Sequence, residues 1–155
     1  MTLPYRAYNL SALRVELERD EGIRPVMYED SKGIPTVGIG HNLLVPLCAE
    51  AIDAQWQYDV EQAEIALDAQ EPHWRVLDAV RQRVLVNMMF NLGAATFKRF
   101  PKFWAAIGNA IQVNSVDWYI EAAKEMKASA WYKQVNPMPG GRADRLIHMM
   151  ETGNL

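Results

Sequence analysis

Three side chains near the N-terminus have types and spacing that suit acid–base chemistry. Eight residues lie between Glu21 and Asp30, and five lie between Asp30 and Thr36. A protonated carboxyl group can donate a proton to a leaving oxygen while a carboxylate activates water, and hydrolysis of a glycosidic bond needs this pair of groups. Acidic pairs are also common on solvated surfaces, so the spacing alone leaves both interpretations open.

The elements around these residues predict how they would be positioned. Ser11 is expected to cap a short first helix whose inward face carries Leu10, Leu13 and Leu17, and Glu21 stands near its end. The segment from Val26 to His41 is rich in β-formers and contains a polar turn, which predicts a small antiparallel hairpin or three-stranded sheet.

That hairpin would hold the other two residues of the set. Asp30 stands at the predicted turn and Thr36 stands on the returning strand. A helix end folded against such a hairpin can bring Glu21 to the same wall of a cleft. The local pattern therefore allows the three side chains to converge, although it does not require it.

A long apolar stripe predicts the next element. Ile52, Trp56, Val60, Ala63 and Leu67 recur at helical spacing and predict one helix over about 49–70. Further helices are expected around Trp74–Val80, over Val84–Leu92 as the central core helix ended by Gly93, and over about 101–109, 115–127, 129–134 and 141–151, with residues 137–141 as a loop. Five side chains are assigned to packing rather than to a ligand site: Trp56, Met88, Met89, Phe90 and Trp131.

The predicted fold class is therefore α+β. We expect one domain over 1–155, with a β-containing lobe at about 1–48, a connecting helix at about 49–70 and a helical lobe at about 72–155. The small antiparallel sheet belongs to the N-terminal lobe, and the remainder of the chain is mostly helical.

Composition and charge exclude several classes of protein. The 155 residues carry 19 acidic and 16 basic side chains, a net charge of −3, which gives no reason to expect a nucleic-acid partner. A single cysteine, Cys48, excludes an intramolecular disulfide and a zinc cluster. Residues 1–71 have a net charge of −8 and residues 72–155 a net charge of +5. On charge alone, a chance distribution over a solvated surface is the favoured interpretation, and two faces with different partners are the alternative.

Several motifs in one order identify a family resemblance. The stretch ERDEGIRPVMYEDSKGIPTVGIGHNL closely resembles the catalytic segment of the phage lysozymes of glycoside hydrolase family 24, the T-even-phage type. Its elements are Glu21-Gly22, Asp30, Thr36 and Gly38-Ile39-Gly40-His41. The resemblance continues in LDAVRQRVLVNMMFNLG, AWYKQ and GGRADR, so it covers most of the chain, with a shorter segment before Pro72 and a local insertion at PMPGG.

The resemblance implies a lysozyme-like fold and a role for each matching residue. Glu21 would be the general acid and would need partial burial to hold its proton near neutral pH. Asp30 would be the base that orients water, and Thr36 would be the second anchor of that water. Tyr28 and Asn91 would line the cleft and bind the glycan, although packing or capping explains them nearly as well.

Two further residues are assigned supporting roles by the same resemblance. His41 would be mainly structural, satisfying local backbone groups. Arg142 would reach and orient Glu21, although the neighbouring insertion lies close to it. No metal site and no cofactor is expected.

The implied function is that of an endolysin. It would hydrolyse the β-1,4 bond between N-acetylmuramic acid and N-acetylglucosamine in peptidoglycan strands, with inversion, for host-cell lysis. A lytic transglycosylase or an inactive wall-binding relative is the alternative. No signal peptide or membrane span is recognised in the sequence, so we expect a monomer without stable membrane insertion that stays in the host cytoplasm until holin-dependent release to the periplasm and cell wall.

Overall fold

The computed structural model describes residues 9–135 and 138–155. The chain forms two compact units, Met1–Asp53 and Ala54–Leu155. Their boundary falls within the long helix α2 (Ala49–Gln70), whose bounds are those predicted from the apolar stripe. The α+β class is confirmed, with one small sheet in the first unit and helices in the second.

The first unit begins with helix α1 (Leu10–Glu21). Asn9, rather than Ser11, caps this helix, because the Asn9 side chain accepts a hydrogen bond from the N–H of Ala12 at 3.1 Å. The predicted inward face is also wrong: Leu10 is 53% exposed and no residue of α1 is buried. Among the described residues of this unit Thr36 alone is fully buried, so α1 finds no apolar core here to pack into.

A three-stranded antiparallel sheet follows, in the order β1 (Arg24–Glu29), β2 (Pro35–Gly38) and β3 (His41–Asn42). This confirms the three-stranded form of the predicted β segment. In the register of the sheet, the central residue Thr36 lies opposite Tyr28 on one side and Asn42 on the other. The sheet is short, and it fixes the relative positions of its turns and side chains.

The second unit is helical. After α2, Trp74–Val76 form a single 3-10 turn instead of the predicted helix, because Asp78 caps the next helix through the N–H groups of Val80 and Arg81. Helices α3 (Ala79–Leu92) and α5 (Pro101–Val113) are longer than predicted, with α4 (Ala94–Phe97), which was not predicted, between them. The last three helices begin and end one residue later than predicted: α6 (Val116–Ala128), α7 (Ala130–Val135) and α8 (Arg142–Thr152). Of the predicted loop 137–141, Pro137 lies outside the described residues, and Met138–Gly141 form turns.

The hydrophobic core lies in this second unit. Aromatic side chains occupy its centre, where the ring centroids of Phe97 and Trp104 lie 4.6 Å apart and the Trp104 indole donates to the Phe97 carbonyl at 2.9 Å. Met88, Met89 and Trp131 are buried, as predicted. Other buried members come from α2, α3, α5, α6 and α8: Ala63, Leu67, Val84, Leu85, Ile107, Met126, Leu146 and Met150.

Two residues assigned to packing are instead exposed. Trp56 is 56% exposed and Phe90 is 47% exposed, because both face an open groove of about 650 Å³ in the second unit. Helical periodicity indicates which side of a helix is apolar, but it does not show how far along the helix that side is covered. Aromatic, aliphatic, polar and charged residues together line this groove: Trp56, Val60, Glu64, Trp74, Ala79, Gln82, Arg83, Val86, Asn87, Phe90 and Arg142.

Candidate active site

Glu21 occupies the last position of α1. Gly22 ends the helix with a left-handed backbone (φ 76°), and its N–H donates to the Glu18 carbonyl. The Glu21 carboxyl group lies against Gly40 in the turn between β2 and β3: a Cβ built at Gly40 would lie 3.4 Å from Oε2 of Glu21. The partial burial expected of Glu21 is not found, since the residue is exposed.

Asp30 lies directly after β1 and holds the first turn of the sheet together. Its Oδ1 accepts hydrogen bonds from the N–H of Ile34 at 2.8 Å and from the N–H of Lys32 at 2.7 Å. These two bonds, the one from Ile34 first, hold the pKa of the Asp30 carboxyl below its ordinary value. Asp30 is therefore a carboxylate at neutral pH, as a base that orients water must be.

Thr36 is the buried member of the set and is 4% exposed. Its hydroxyl group donates to the carbonyl of Ile34 at 2.9 Å, which fixes the direction of the side chain. A hydroxyl oxygen that donates its hydrogen still has lone pairs with which to accept from water. Thr36 can therefore serve as an acceptor for a water molecule, in the role predicted for it.

One residue, Ile34, connects the two predicted water anchors. Its N–H donates to Asp30 and its carbonyl accepts from Thr36, so the same main-chain position orders both side chains. Sequence reasoning missed Ile34, because a residue that acts through its backbone leaves no side-chain signal. The first unit thus orders Asp30 and Thr36 through one main-chain position, and it places the Glu21 carboxyl beside the turn that follows β2.

Tyr28 and His41 flank this arrangement on the outer strands. Tyr28 is half-buried, pairs with Thr36 across the sheet, and carries the Arg24 guanidinium 4.4 Å above its ring centroid. His41 lies on β3, and its Nε2 atom is buried without a hydrogen-bond partner in the described part of the chain. The backbone contact expected of His41 is therefore not formed through Nε2.

Asn91 and Arg142 belong to the second unit. The Asn91 Oδ1 atom accepts from the Trp131 indole at 2.8 Å, which leaves its amide N–H groups toward solvent. The Arg142 guanidinium donates to Oδ1 of Asn87 from Nε at 3.0 Å and from Nη2 at 2.6 Å. Asn87 is a second residue that sequence reasoning missed, and its signal was an amide within the apolar run of the central helix, one turn before Asn91.

The described residues form neither a metal-binding cluster nor a membrane-spanning helix. Among residues 9–135 and 138–155, no group of His, Cys, Asp or Glu side chains is arranged to hold a metal ion. Within the same ranges, no helix combines the length and the apolar character needed to cross a bilayer.

Known proteins resemble this chain over nearly its whole length. Probable T4-type lysozymes 1 and 2 of Dictyostelium discoideum are 27% and 26% identical to it, and each match covers 94% of this chain and 97% of the relative. The pre-baseplate central spike protein Gp5 of Enterobacteria phage T4 is 27% identical over 90% of this chain, which spans about a quarter (27%) of that protein.

A family model also matches the chain. The model described as phage lysozyme fits residues 18–142, a range that contains all the predicted site residues from Glu21 to Arg142. The helix-end carboxyl, the aspartate turn and the strand threonine lie within that range in the order that the family resemblance requires. The chain therefore belongs to the phage lysozyme family.

Proposed function

We propose that this protein is a muramidase that hydrolyses the β-1,4 bond between N-acetylmuramic acid and N-acetylglucosamine in bacterial peptidoglycan. One observation carries the proposal: main-chain groups of Ile34 order both Asp30 and Thr36, and the Glu21 carboxyl lies at the turn that follows the same strand. This arrangement supplies a proton donor and a water site within a chain of the phage lysozyme family.

The reaction follows from these groups. Protonated Glu21 donates its proton to the glycosidic oxygen, and the bond between that oxygen and the anomeric carbon breaks. A water molecule that donates to Asp30 and Thr36 attacks the anomeric carbon from the opposite face, and Asp30 accepts the proton that the water loses. Attack by water on the opposite face inverts the configuration of the anomeric carbon.

Other residues would act on the substrate or on Glu21. We propose that Tyr28 and the free amide N–H groups of Asn91 contact the glycan, because amides suit its hydroxyl and N-acetyl groups. His41 supports the strand beside Gly40, and Arg142 orients the general acid. An Arg142→Ala protein with full activity and an unchanged pH profile would contradict the role of Arg142.

The deciding experiment uses purified peptidoglycan. Wild type should release fragments, and Glu21→Gln should lose about 10²–10⁴-fold in rate, since general acid catalysis contributes that much. Glu16→Gln, on the exposed part of the same helix, is the matched control and should keep full activity. A folded Glu21→Gln protein with wild-type activity would refute the assignment.

Product analysis separates this reaction from its nearest alternative. A lytic transglycosylase uses one glutamate and gives an anhydro product without adding water, whereas a muramidase adds one water to each bond cleaved. Mass spectrometry of the released fragments distinguishes the two products. NMR of the newly formed anomer, recorded before mutarotation, tests inversion against retention.

The relatives suggest two settings for the same activity. The match to lysozymes of similar length favours a free enzyme, which would act in host lysis as a monomer after holin-dependent passage from the host cytoplasm to the wall. The match to about a quarter of a baseplate spike protein favours the second setting, in which this protein is a component of a phage particle. In that setting it would either cleave the wall or only bind it. A zymogram tests activity, and fractionation of infected cells and purified phage particles tests the setting.

A further inference from the structure

Basic side chains gather at one end of the hairpin formed by α5 and α6. Only Asn114 and Ser115 join these two helices, and residues from the start of α5 and the end of α6 line one groove of about 530 Å³, so the helices run antiparallel. Arg99 and Lys102 line this groove, and each of the other three cations is next in sequence to a residue that lines it. We call the five residues the basic corner: Lys98, Arg99, Lys102, Lys127 and Lys133.

The basic corner is not neutralised by neighbouring acids. All five side chains are exposed, and none forms an ion pair with another residue of the described ranges. Some exposed cations elsewhere are paired, as Lys124 is with Glu121 at 3.1 Å, whereas Lys32, Arg83 and Arg145 are exposed and form no ion pair within these ranges. Glu125 is the one acidic residue among those that line the groove. The opposite end of the hairpin, residues 109–119, carries no lysine or arginine.

The backbone adds to the same positive field. Helix α5 begins with Phe100 as its N-cap and Pro101 at its first position, and neither has a side chain that can accept from the free N–H groups of the first turn. The positive end of the helix dipole therefore points toward Lys102 and the groove. Side-chain charge and helix polarity reinforce each other at this corner.

The chemistry of the corner distinguishes among anionic partners. Arg99 offers the planar fork that binds phosphate oxygens in pairs, and the lysines supply point charges around it. Single-stranded nucleic acids would in addition need aromatic faces on which bases stack. The aromatic side chains that line the groove are buried or half-buried: Phe100, Phe103 and Trp131. A phosphate chain without bases fits these features better.

We propose that the basic corner binds the phosphate groups of an anionic polymer of the bacterial envelope and thereby holds the enzyme at the wall. This rests on the proposed muramidase function for its biological setting, but binding does not depend on catalysis. None of the five cations belongs to the site residues described above, so binding and cleavage are separable by mutation.

The test measures binding of a labelled poly(glycerol phosphate) by fluorescence anisotropy at several salt concentrations. Wild type should bind with an affinity that falls steeply as salt rises. The variant Lys98→Gln/Arg99→Gln/Lys102→Gln should bind about tenfold or more weakly at low salt, with a log–log salt slope reduced by about 2–3, as release of counterions from a linear phosphate predicts. Lipopolysaccharide serves as a second source of phosphate.

A matched variant controls for net charge. Arg14→Gln/Arg19→Gln/Arg75→Gln also removes three cations, but each of these is already paired with a carboxylate, so its binding should change by less than about threefold. Equal weakening of both variants would overturn the proposal. So would tighter binding of poly-γ-glutamate or of single-stranded DNA. Cleavage of short, phosphate-free peptidoglycan fragments is measured in parallel and reports on the proposed function alone. The rate of this cleavage should be the same in wild type and in Lys98→Gln/Arg99→Gln/Lys102→Gln.

Discussion

The Glu21 carboxyl group and Gly40 lie side by side: the space that a Cβ of residue 40 would fill is 3.4 Å from Oε2 of Glu21. Gly40 also has a left-handed backbone with φ 71°, so two requirements select glycine at this position. The first is conformational, and the second keeps the surroundings of the carboxyl group open to water or substrate. The contact couples the end of α1 to the turn between β2 and β3.

Gly40→Ala tests this coupling. Forcing a residue with a Cβ into left-handed backbone costs about 1–2 kcal/mol of stability. The added methyl group also lies against Oε2 of Glu21 and narrows the access of water and substrate to that carboxyl group. We therefore expect Gly40→Ala to lower the rate of peptidoglycan cleavage at temperatures where the variant is fully folded.

Gly93→Ala is the control for Gly40→Ala. Gly93 has a similar φ of 70°, but nothing lies within 4 Å of its Cβ position. Thermal unfolding should show a loss of stability in both variants, while the rate of peptidoglycan cleavage by the folded protein should fall only in Gly40→Ala. An equal fall in both variants would show that the contact with Glu21 is unimportant.

The low pKa of Asp30 predicts how stability and activity depend on pH. The Ile34 and Lys32 N–H bonds favour the carboxylate, so their contribution is present above the ordinary value of 3.8 and is lost as pH falls through the lower folded value. Asp30→Asn keeps an oxygen acceptor for both N–H groups but removes the titration and the base. The variant should fold, and its stability should no longer fall below about pH 4 through this group. Its activity should be about 10²–10⁴-fold lower than that of wild type.

Asp53→Asn provides the comparison for Asp30→Asn. Asp53 is exposed on α2, and no role is assigned to it. The activity of Asp53→Asn on peptidoglycan should equal that of wild type. If Asp30→Asn retained more than about a tenth of wild-type activity, general base catalysis by Asp30 would be excluded.

Asn91 and Trp131 separate substrate binding from packing. Asn91→Ala removes both the acceptor for the indole and the free amide N–H groups, whereas Trp131→Phe removes only the indole donor. If the amide contacts the glycan, Asn91→Ala should raise KM by about five- to tenfold, which corresponds to one neutral hydrogen bond of roughly 1 kcal/mol. Trp131→Phe should lower stability by a similar amount with little change in KM. Equal KM values for the two variants would assign Asn91 to packing alone.

Arg81 is predicted to be the most sensitive charged residue of the second unit. It is 9% exposed, donates to the carbonyls of Met150 and Glu151 at the end of α8, and pairs with Asp78 at 2.6 Å. Arg81→Met keeps the apolar stem but leaves these acceptors without their donor, so unfolding free energy should fall by about 2–4 kcal/mol.

The matched variant for Arg81 is Arg83→Met on the same helix. Arg83 is exposed, so its replacement should change stability by less than about 0.5 kcal/mol. The Arg81–Asp78 pair also has a pH signature. Burial acts to raise the pKa of Asp78, but the hydrogen bonds and charge of Arg81 outweigh it and hold that pKa below 3.8. The stabilisation is thus present above that value and fades as the pH falls further. This loss should be smaller in Arg81→Met, which keeps only the backbone hydrogen bonds from residues 80 and 81 to Asp78.

Regular elements could be predicted from the sequence because each has a local cause. The stripe from Ile52 to Leu67 predicted the bounds of α2, and Gly93 marked the end of α3. Capping was less certain, because Asn9 and Ser11 are both good N-cap residues and only the backbone geometry selects Asn9. Burial along α2 was also unpredictable, since the same stripe includes exposed Trp56 and buried Leu67.

The candidate site likewise has features that could be predicted from the sequence and features that could not. Glu21, Asp30 and Thr36 could be proposed from side-chain type, spacing and family resemblance. Their supporting contacts could not, because Ile34 acts through its peptide groups and Asn87 meets Arg142 across 55 residues of sequence. Side-chain chemistry is visible in a sequence, while main-chain and long-range contacts become visible only when the chain is folded.

The position of Ile34 has a consequence for which sequences can encode this site. Its side chain makes neither of the bonds that order Asp30 and Thr36; its N–H and its carbonyl make them. Many residue types should therefore be tolerated at position 34, while proline, which lacks the N–H, should not. A mutational scan would find a permissive position between two intolerant ones, although the backbone of the permissive residue holds the other two in place.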